Sequence, residues 1–167
     1  VTWINVEGLS DVTLIEELGR NFAIHALVLE DILNTHQRPK FEEFADYLFI
    51  ALKVISLGED EFTVQYEQIS MLIMESCVLT FREKADDFFL PLTKRLDDDK
   101  GRLRNNGADY LAYIILDTIV DQYFVLQDSL DSVIETLDEE LLVNPTLATL
   151  STIQGIKREL IFIRKTV

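Results

Sequence analysis

Carboxylate side chains repeat at helical spacing in the second half of the sequence, where they could bind cations. They are Asp117, Asp121, Asp128, Asp131, Glu135 and Asp138. At about 100° of rotation per residue, these positions fall within an arc of about 100° on one face of a helix. The opposite face is apolar and carries Ile119, Tyr123, Leu126, Leu130, Val133, Leu137 and Leu141. The sequence therefore predicts an amphipathic helix whose polar face is almost purely negative.

No lysine or arginine lies between Gly107 and Val143 to compensate this charge. Like charges three or four residues apart destabilise a helix by about 0.2–0.5 kcal/mol per pair. Solvent salt, a basic partner surface or bound divalent cations must therefore screen the carboxylates from outside the helix. Mg²⁺ suits such a surface because it takes oxygen ligands, keeps several waters and needs only one or two carboxylates. The spacing alone does not fix a Mg²⁺ site, so a solvated acidic face stays open as an interpretation.

A second acidic group, the adjacent pair Glu30 and Asp31, lies in a predicted short helix. Adjacent helical residues diverge by about 100°, so the two carboxylates do not converge on one atom. They could serve two separate cation sites, or they could be ordinary helix-surface carboxylates. His25 and His36 have no cysteine ligand beside them, which disfavours a zinc site. We expect His25 to pack or to cap a helix.

Motifs of the common enzyme classes are absent from the sequence. It contains no GxxxxGK[ST], GxGxxG, HExxH or CxxC pattern, and no nucleophile stands out beside a base. The single cysteine, Cys77, lies between apolar residues and cannot form an internal disulfide. We therefore expect a protein that binds ions or partners and is not an enzyme.

The overall charge agrees with cation binding. The sequence has 30 Asp and Glu against 15 Lys and Arg, a formal net charge of −15 at pH 7. Such a surface repels phosphate backbones, so nucleic acid is not an expected partner. Hydrophobic residues make up 48% of the chain, which is typical of a globular protein. The sequence has no signal peptide and no apolar run of membrane-spanning length, so we expect the chain as given to be soluble.

Strands and helices alternate over residues 1–106, which we predict to form one α/β (α+β) domain. The predicted strands are Val1–Val6, Tyr47–Ile55, the segment Phe62–Ile73 and Val78–Phe81, with a turn at Gly58–Asp60. The predicted helices are one capped by Ser10 or Asp11 that ends near Phe22, then Ala26–Asn34 and Asp87–Asp98. Tyr47–Ile55 is apolar on both faces, as in a central strand. The apolar positions change phase between Tyr66 and Ile69, which indicates either a bulge or two separate strands.

Residues 107–167 form the second predicted domain, a helical hairpin. No Pro or Gly interrupts the long helix before Val143, and Asn144 and Pro145 then break it. Thr146 can cap a second helix that runs to the end of the chain. Because the connection is short, the two helices should lie antiparallel.

The segment His25–Lys40, which reads HALVLEDILNTHQRPK, resembles a segment of the CorA family of magnesium and cobalt channels. Further stretches resemble that family in the same order. They are Thr2–Asn5, Tyr66–Ser70, Val78–Phe81, Ala108–Tyr113, Leu116–Asp121, Tyr123–Phe124, Lys157–Leu160 and Ile163–Lys165. Each motif is short, but their order extends over essentially the whole chain, which makes the resemblance specific.

The resemblance implies a mixed sheet sandwiched between helix layers, followed by a long antiparallel helical hairpin that leads to a stalk helix. Family members form funnel-shaped homopentamers and bind regulatory Mg²⁺ between neighbouring cytoplasmic domains, and loss of this Mg²⁺ opens the pore. The resemblance thus implies a cytoplasmic regulatory domain of a Mg²⁺/Co²⁺ channel, located at the inner side of the cell membrane. The Gly-Met-Asn pore motif and the membrane helices are absent from the sequence. We therefore expect the chain alone not to conduct ions and to be a monomer or weak dimer.

The resemblance also assigns metal ligands. They are Glu30, Asp31 and Asp117, with Asp121, Asp128 and Asp131 as secondary candidates. Asp117 is expected to share its ion with Glu30 and with a residue ahead of Val1. The partner of Asp31 is expected on the stalk helix beyond Val167.

Two alternatives stay open. One is the cytoplasmic domain of a related zinc transporter with a similar fold. The other is an acidic protein-interaction domain, for which partner binding would depend on salt without a response to Mg²⁺.

Overall fold

The structure, a computed structural model, describes residues 1–58, 64–97 and 106–166. The strands are β1 (Thr2–Glu7), β2 (Lys40–Glu43), β3 (Leu48–Leu57), β4 (Val64–Ile73) and β5 (Cys77–Arg82). The helices are α1 (Val12–Asn21), α2 (Ala26–Leu33), a 3-10 turn (Asp87–Phe89), α3 (Leu90–Asp97), α4 (Ala108–Val143) and α5 (Leu147–Thr166). Of the predicted positions, Glu59, Asp60, Phe62 and Asp98 lie outside the described residues. The sequence did not predict β2, because its four residues include only one apolar side chain.

Over the described residues, the strands form one mixed five-stranded sheet in the order β1-β5-β4-β3-β2. β1 lies parallel to β5, with Thr2 opposite Cys77. β5 pairs antiparallel with β4, and β3 pairs antiparallel with β2. The strand predicted to be apolar on both faces is β3, which lies between two neighbours. The mixed α/β architecture expected from the sequence is confirmed.

One compact unit comprises Val1–Lys53 and Glu67–Thr118. On one face of its sheet, Val28 and Ile32 of α2 pack in a buried cluster with side chains of the strands, among them Phe49, Leu79 and Phe81. Val28 and Ile32 are each 0% exposed. This apolar face of α2 holds the helix, and the Glu30–Asp31 pair that it carries, against the sheet.

The opposite face of the same sheet is organised around Arg82, which is fully buried at the end of β5. Its Nη2 donates to Glu67 Oε2 at 2.8 Å, and its Nη1 lies 2.9 Å from Asp86 Oδ1. The rings of Phe88 and Phe89 lie 4.8 Å and 5.3 Å from its guanidinium carbon. Burial alone would lower the pKa of Arg82, but hydrogen bonds to Glu67 and Asp86 raise it above its usual value.

β4 is one continuous strand, so the alternative of two separate strands is wrong. Its antiparallel pairing with β5 runs from Ile73 back to Ile69, which lies opposite Arg82. One residue earlier, the backbone N–H of Gln68 donates to the Glu83 carboxylate at 2.8 Å. A side chain therefore accepts the hydrogen bond at the point where the apolar phase changes.

A second compact unit comprises Val54–Tyr66 and Ile119–Val167. In this unit Val64 and Tyr66 of β4 share a hydrophobic cluster with Leu126 and Leu130 of α4. From Glu67 onward, β4 belongs to the first unit. The change of phase in the sequence thus marks where the strand leaves one cluster for another. The predicted domains 1–106 and 107–167 group the residues differently from these units and stay a prediction.

The helical hairpin forms where it was predicted. Thr146 caps α5, since its Oγ1 accepts the backbone N–H of Thr149 at 3.1 Å. Ile163 of α5 packs against the cluster that contains Leu126 and Leu130. Over residues 1–58, 64–97 and 106–166, none of the helices combines the length and the apolar character that a membrane span requires.

Replacing the buried arginine tests the packing of the first unit. Arg82→Met should lower the free energy of unfolding by about 3–5 kcal/mol, because it leaves the Glu67 carboxylate buried without its cation. Arg38→Met, at an exposed arginine, should change it by less than about 0.5 kcal/mol. Urea unfolding followed by circular dichroism measures both values. Equal effects of the two substitutions would contradict the role given to the buried ion pair.

Candidate metal-binding surface

The acidic face of α4 is open to solvent, as predicted. Every member of the predicted set is exposed, namely Asp117, Asp121, Asp128, Asp131, Glu135 and Asp138. On the opposite side, Ile119, Leu126, Leu130 and Leu137 are buried. Leu141 was expected on the packed side but is 37% exposed, because it lies in the last turn before the hairpin connection. Amphipathic packing therefore fixes which way these carboxylates face.

No carboxylate of this surface forms an ion pair in the part of the chain that the structure describes. The ion pairs found there involve Lys40 and Arg82, and neither contacts a carboxylate of α4. The helix α4 contains no Lys or Arg, and no ion pair with another described residue compensates its negative charge. Solvent salt, a basic partner surface or bound divalent cations can screen this face.

Glu30 and Asp31 differ in their environments although they are neighbours on α2. Glu30 is exposed, whereas the Asp31 side chain is 19% exposed and forms an ion pair with the ammonium group of Lys40. Lys40 Nζ also lies 3.2 Å from Glu42 Oε1. The two candidate ligands therefore divide into one free carboxylate and one that an internal cation already occupies.

Buried polar side chains of the sheet hold the C-terminal end of α2. Gln68 of β4 is 1% exposed, and its Nε2 donates to the Asp31 backbone oxygen at 2.9 Å. Gln37 Nε2 donates to the same oxygen. Lys53 of β3 donates to the Thr35 backbone oxygen and lies 3.4 Å from Gln68 Oε1. Burial lowers the pKa of Lys53, and the charge of Glu83 opposes that effect in part.

His25 fixes the other end of α2. Its Nδ1 accepts the backbone N–H of Leu27 at 3.2 Å, so it caps the helix as expected. Its own backbone N–H donates to the Tyr47 hydroxyl at 3.0 Å, and its ring stacks on Phe44. Because one end contacts the turn between β2 and β3 and the other end contacts β4, α2 presents Glu30 and Asp31 in a defined position.

The structure does not gather the predicted ligands into one cluster. Among the residues it describes, no group of three or more His, Cys, Asp or Glu side chains is arranged to hold a metal ion. Glu30 and Asp31 are brought together only as helix neighbours, and Asp117 lies on α4. Their assignment as ligands stays a prediction. The donor set nevertheless fits Mg²⁺, because carboxylate oxygens open to water suit an ion that retains several waters.

Sequence reasoning missed the residues that position this surface. Lys40, Lys53 and Gln68 were not singled out, although Lys53 interrupts the otherwise apolar run of β3. A lysine inside a buried strand signals a specific polar partner, because its charge is costly to bury unpaired. The partner could not be named without the fold.

Solved structures of other proteins have a similar fold. The soluble domain of CorA from Methanocaldococcus jannaschii superposes with a TM-score of 0.79 at 22% identity, covering 98% of this chain and 64% of that chain. The cytoplasmic domain of ZntB from Vibrio parahaemolyticus gives a TM-score of 0.59 at 19% identity, covering 98% of this chain and 70% of that chain. This chain therefore shares its fold with the soluble domain of CorA and the cytoplasmic domain of ZntB.

Sequence similarity assigns the chain to one protein family. The family model for CorA-like Mg²⁺ transporter proteins matches residues 1–167. The chain is 42% identical over 166 residues to the cobalt/magnesium transport protein CorA of Thermotoga maritima, covering 99% of this chain and 47% of that protein. The chain belongs to the CorA family, a family of transporters and not of enzymes, and it spans about half the length of that relative.

The anchoring of α2 can be tested at Gln68. Gln68→Leu should lower the free energy of unfolding by about 1–3 kcal/mol, because Lys53 and the Asp31 carbonyl each lose a buried partner. Gln127→Leu, at an exposed position on α4, is the matched control and should have little effect. Urea unfolding compares the two, and hydrogen exchange of the α2 amides locates the loss. Unchanged exchange in α2 would contradict the anchoring role.

Proposed function

We propose that this chain is the cytoplasmic, Mg²⁺-sensing domain of a CorA-type divalent-cation channel. The observation that carries the proposal is the exposed carboxylate face of α4, whose side chains form no ion pair within the part of the chain that the structure describes. Membership of the CorA family supports the choice of Mg²⁺, and Co²⁺ is a further candidate. The role proposed for the domain is regulatory binding without enzymatic chemistry.

The proposed mechanism follows from charge. At −15 per chain, neighbouring copies repel one another when their acidic surfaces approach. The carboxylates of two such surfaces would hold Mg²⁺ between them, and its positive charge would offset the repulsion. Loss of Mg²⁺ restores the repulsion and shifts the population toward an open or asymmetric arrangement, because the ion binds the joined state more tightly.

Each candidate ligand has a distinct role in this proposal. Asp117 and Glu30 would hold one ion together, whereas Asp31 would hold a second ion together with a neighbouring copy. Asp121, Asp128 and Asp131 add to the negative potential that attracts cations and are secondary candidates for binding. The remaining coordination positions are filled by water, as is usual for Mg²⁺.

Oligomerisation and membrane attachment belong to the whole protein in this proposal. The full-length protein is proposed to be a homopentamer at the inner side of the cell membrane, attached through helices outside the sequence given. The chain alone is proposed to be a monomer or weak dimer. Nucleic acid is not a proposed partner, because both surfaces would be negative.

A zinc-dependent role is the second candidate, supported by the fold similarity to ZntB. Zinc sites usually include imidazole or thiolate ligands. Here the Nδ1 atom of His25 accepts a helix-capping hydrogen bond, and Cys77 is buried. The exposed carboxylates therefore favour Mg²⁺ over Zn²⁺.

Charge-removing substitutions separate the proposed ligands. Asp117→Asn should weaken the strongest Mg²⁺ binding by about tenfold or more, because it removes one of two carboxylates on that ion. Asp31→Asn should change it by less than about twofold, because the partner carboxylate of Asp31 is outside this chain. Calorimetric titration with Mg²⁺ measures both.

Asp138→Asn is the control, since it removes the same charge from the same face of α4. It should bind Mg²⁺ as the unaltered chain does. Equal weakening by Asp117→Asn and Asp138→Asn would reduce the effect to general electrostatics, and the reverse order of Asp31 and Asp117 would overturn the assignment of ligands. A parallel titration with Zn²⁺ that binds more tightly than Mg²⁺ would favour the zinc alternative.

A further inference from the structure

We propose that Lys40 is a tethered counter-ion that occupies the Asp31 carboxylate, so that a divalent cation must displace it to bind there. This inference rests on the proposed function, since it concerns one of the same candidate ligands. It adds a competitor supplied by the chain itself, which sets how much divalent cation is needed before Asp31 responds.

The contact is specific to one oxygen of Asp31. The Lys40 ammonium group donates to Oδ2 of Asp31, and the side chains are 27% and 19% exposed for Lys40 and Asp31. The pair is therefore reachable from solvent, yet more enclosed than a free surface pair. An incoming cation would meet the ammonium group at the carboxylate it must bind.

Both partners are held in place by independent contacts. The Asp31 backbone oxygen is bound by Gln68 and Gln37, and Lys40 is paired with Ala51 in the β2–β3 ladder. Lys40 Nζ also lies 5.5 Å from the centre of the Phe49 ring. Because the backbones on both sides are fixed, only the lysine side chain needs to move when the carboxylate changes partner.

Glu42 provides a second position for the displaced ammonium group. Its Oε1 already lies 3.2 Å from Lys40 Nζ. A small rotation can therefore transfer the lysine wholly to Glu42 without leaving the charge unpaired.

The competition has a modest expected size. Partly exposed ion pairs are weak, so breaking this one should cost a divalent cation about two- to fivefold in affinity at Asp31. Like-charge repulsion from an ammonium group that stays nearby acts in the same direction. Competition from Lys40 therefore raises the divalent-cation concentration needed for binding at Asp31 but does not prevent binding.

Mn²⁺ tests the competition at residue resolution, because it prefers the same oxygen ligands as Mg²⁺ and relaxes nearby nuclei. The isotope-labelled chain is titrated with Mn²⁺, and the relaxation of the α2 amides around Asp31 is measured at one sub-saturating concentration. Lys40→Met keeps the apolar stem and removes the charge. It should raise the relaxation enhancement around Asp31 about two- to fivefold.

Three controls make the result specific. Lys40→Arg keeps the charge and should resemble the unaltered chain. Lys157→Met removes an exposed positive charge on α5 and should leave the amides around Asp31 unchanged. Adding Asp31→Asn to Lys40→Met should abolish the gain, which separates binding at Asp31 from binding at Glu30.

The outcomes distinguish this inference from the proposed function. Suppose that Mn²⁺ enhances relaxation around Asp117 in the unaltered chain, and that the enhancement around Asp31 is the same in the unaltered chain and in Lys40→Met. This result would overturn the tethered counter-ion and leave the proposed function standing. An equal gain from Lys157→Met would also overturn it. No specific enhancement around Asp117 or Asp31 in any variant would overturn both. Thermal melts of each variant confirm that the comparison is made on folded protein.

Discussion

The buried amide of Gln68 is the contact on which the geometry of this surface depends. It joins the backbone oxygen of Asp31 to the sheet at 2.9 Å and accepts from Lys53 on the next strand. A buried amide without hydrogen-bond partners is destabilising, so detaching the end of α2 from the sheet would raise the free energy of the folded chain. Since His25 caps the other end, the helix that carries Glu30 and Asp31 is fixed at both termini. Pre-positioned carboxylates of this kind suit the proposed Mg²⁺ sensing, because an ion could bind there without refolding of the helix.

The carboxylates of this protein have two kinds of environment. Enclosed carboxylates form ion pairs, as Glu67 does with Arg82 and Asp31 does with Lys40. Along α4, the carboxylates form no ion pair with any residue that the structure describes. Enclosed pairs serve packing, because an unpaired buried charge would be unstable. The open face of α4 contributes nothing comparable to packing and raises the repulsion between copies. This contrast is consistent with the proposal that the domain responds to an external cation.

The sequence predicted the parts of the fold that local chemistry determines. The amphipathic pattern of α4, the cap at Thr146 and the apolar run of β3 each follow from neighbours in the chain, and all three are found. The phase change near Tyr66 was ambiguous because periodicity cannot tell a bulge from two separate strands. The short strand β2 gave no pattern at all. Only the hydrogen-bonded sheet shows that β4 is continuous and that β2 is a strand.

The candidate site was predictable in its charge but not in its contacts. Exposure of the α4 carboxylates follows from helical spacing, while the assignment of Glu30, Asp31 and Asp117 came from resemblance to a family. The contact of Gln68 with Asp31 joins residues far apart in the sequence, so no local pattern encodes it. The pairing of Asp31 with Lys40 likewise depends on the turn that brings β2 beside α2. Long-range contacts of this kind require the fold itself.

Thermal melting in MgCl₂ and in NaCl at matched ionic strength tests the central claim most directly. Both salts screen the acidic surface, but only Mg²⁺ can coordinate its carboxylates. A ligand that binds only the folded chain adds about 2.7 kcal/mol of stability at roughly a hundredfold excess over its Kd. The account predicts a higher melting temperature in MgCl₂ than in NaCl. Equal melting temperatures in the two salts would reduce the acidic face to a screened surface and contradict the account.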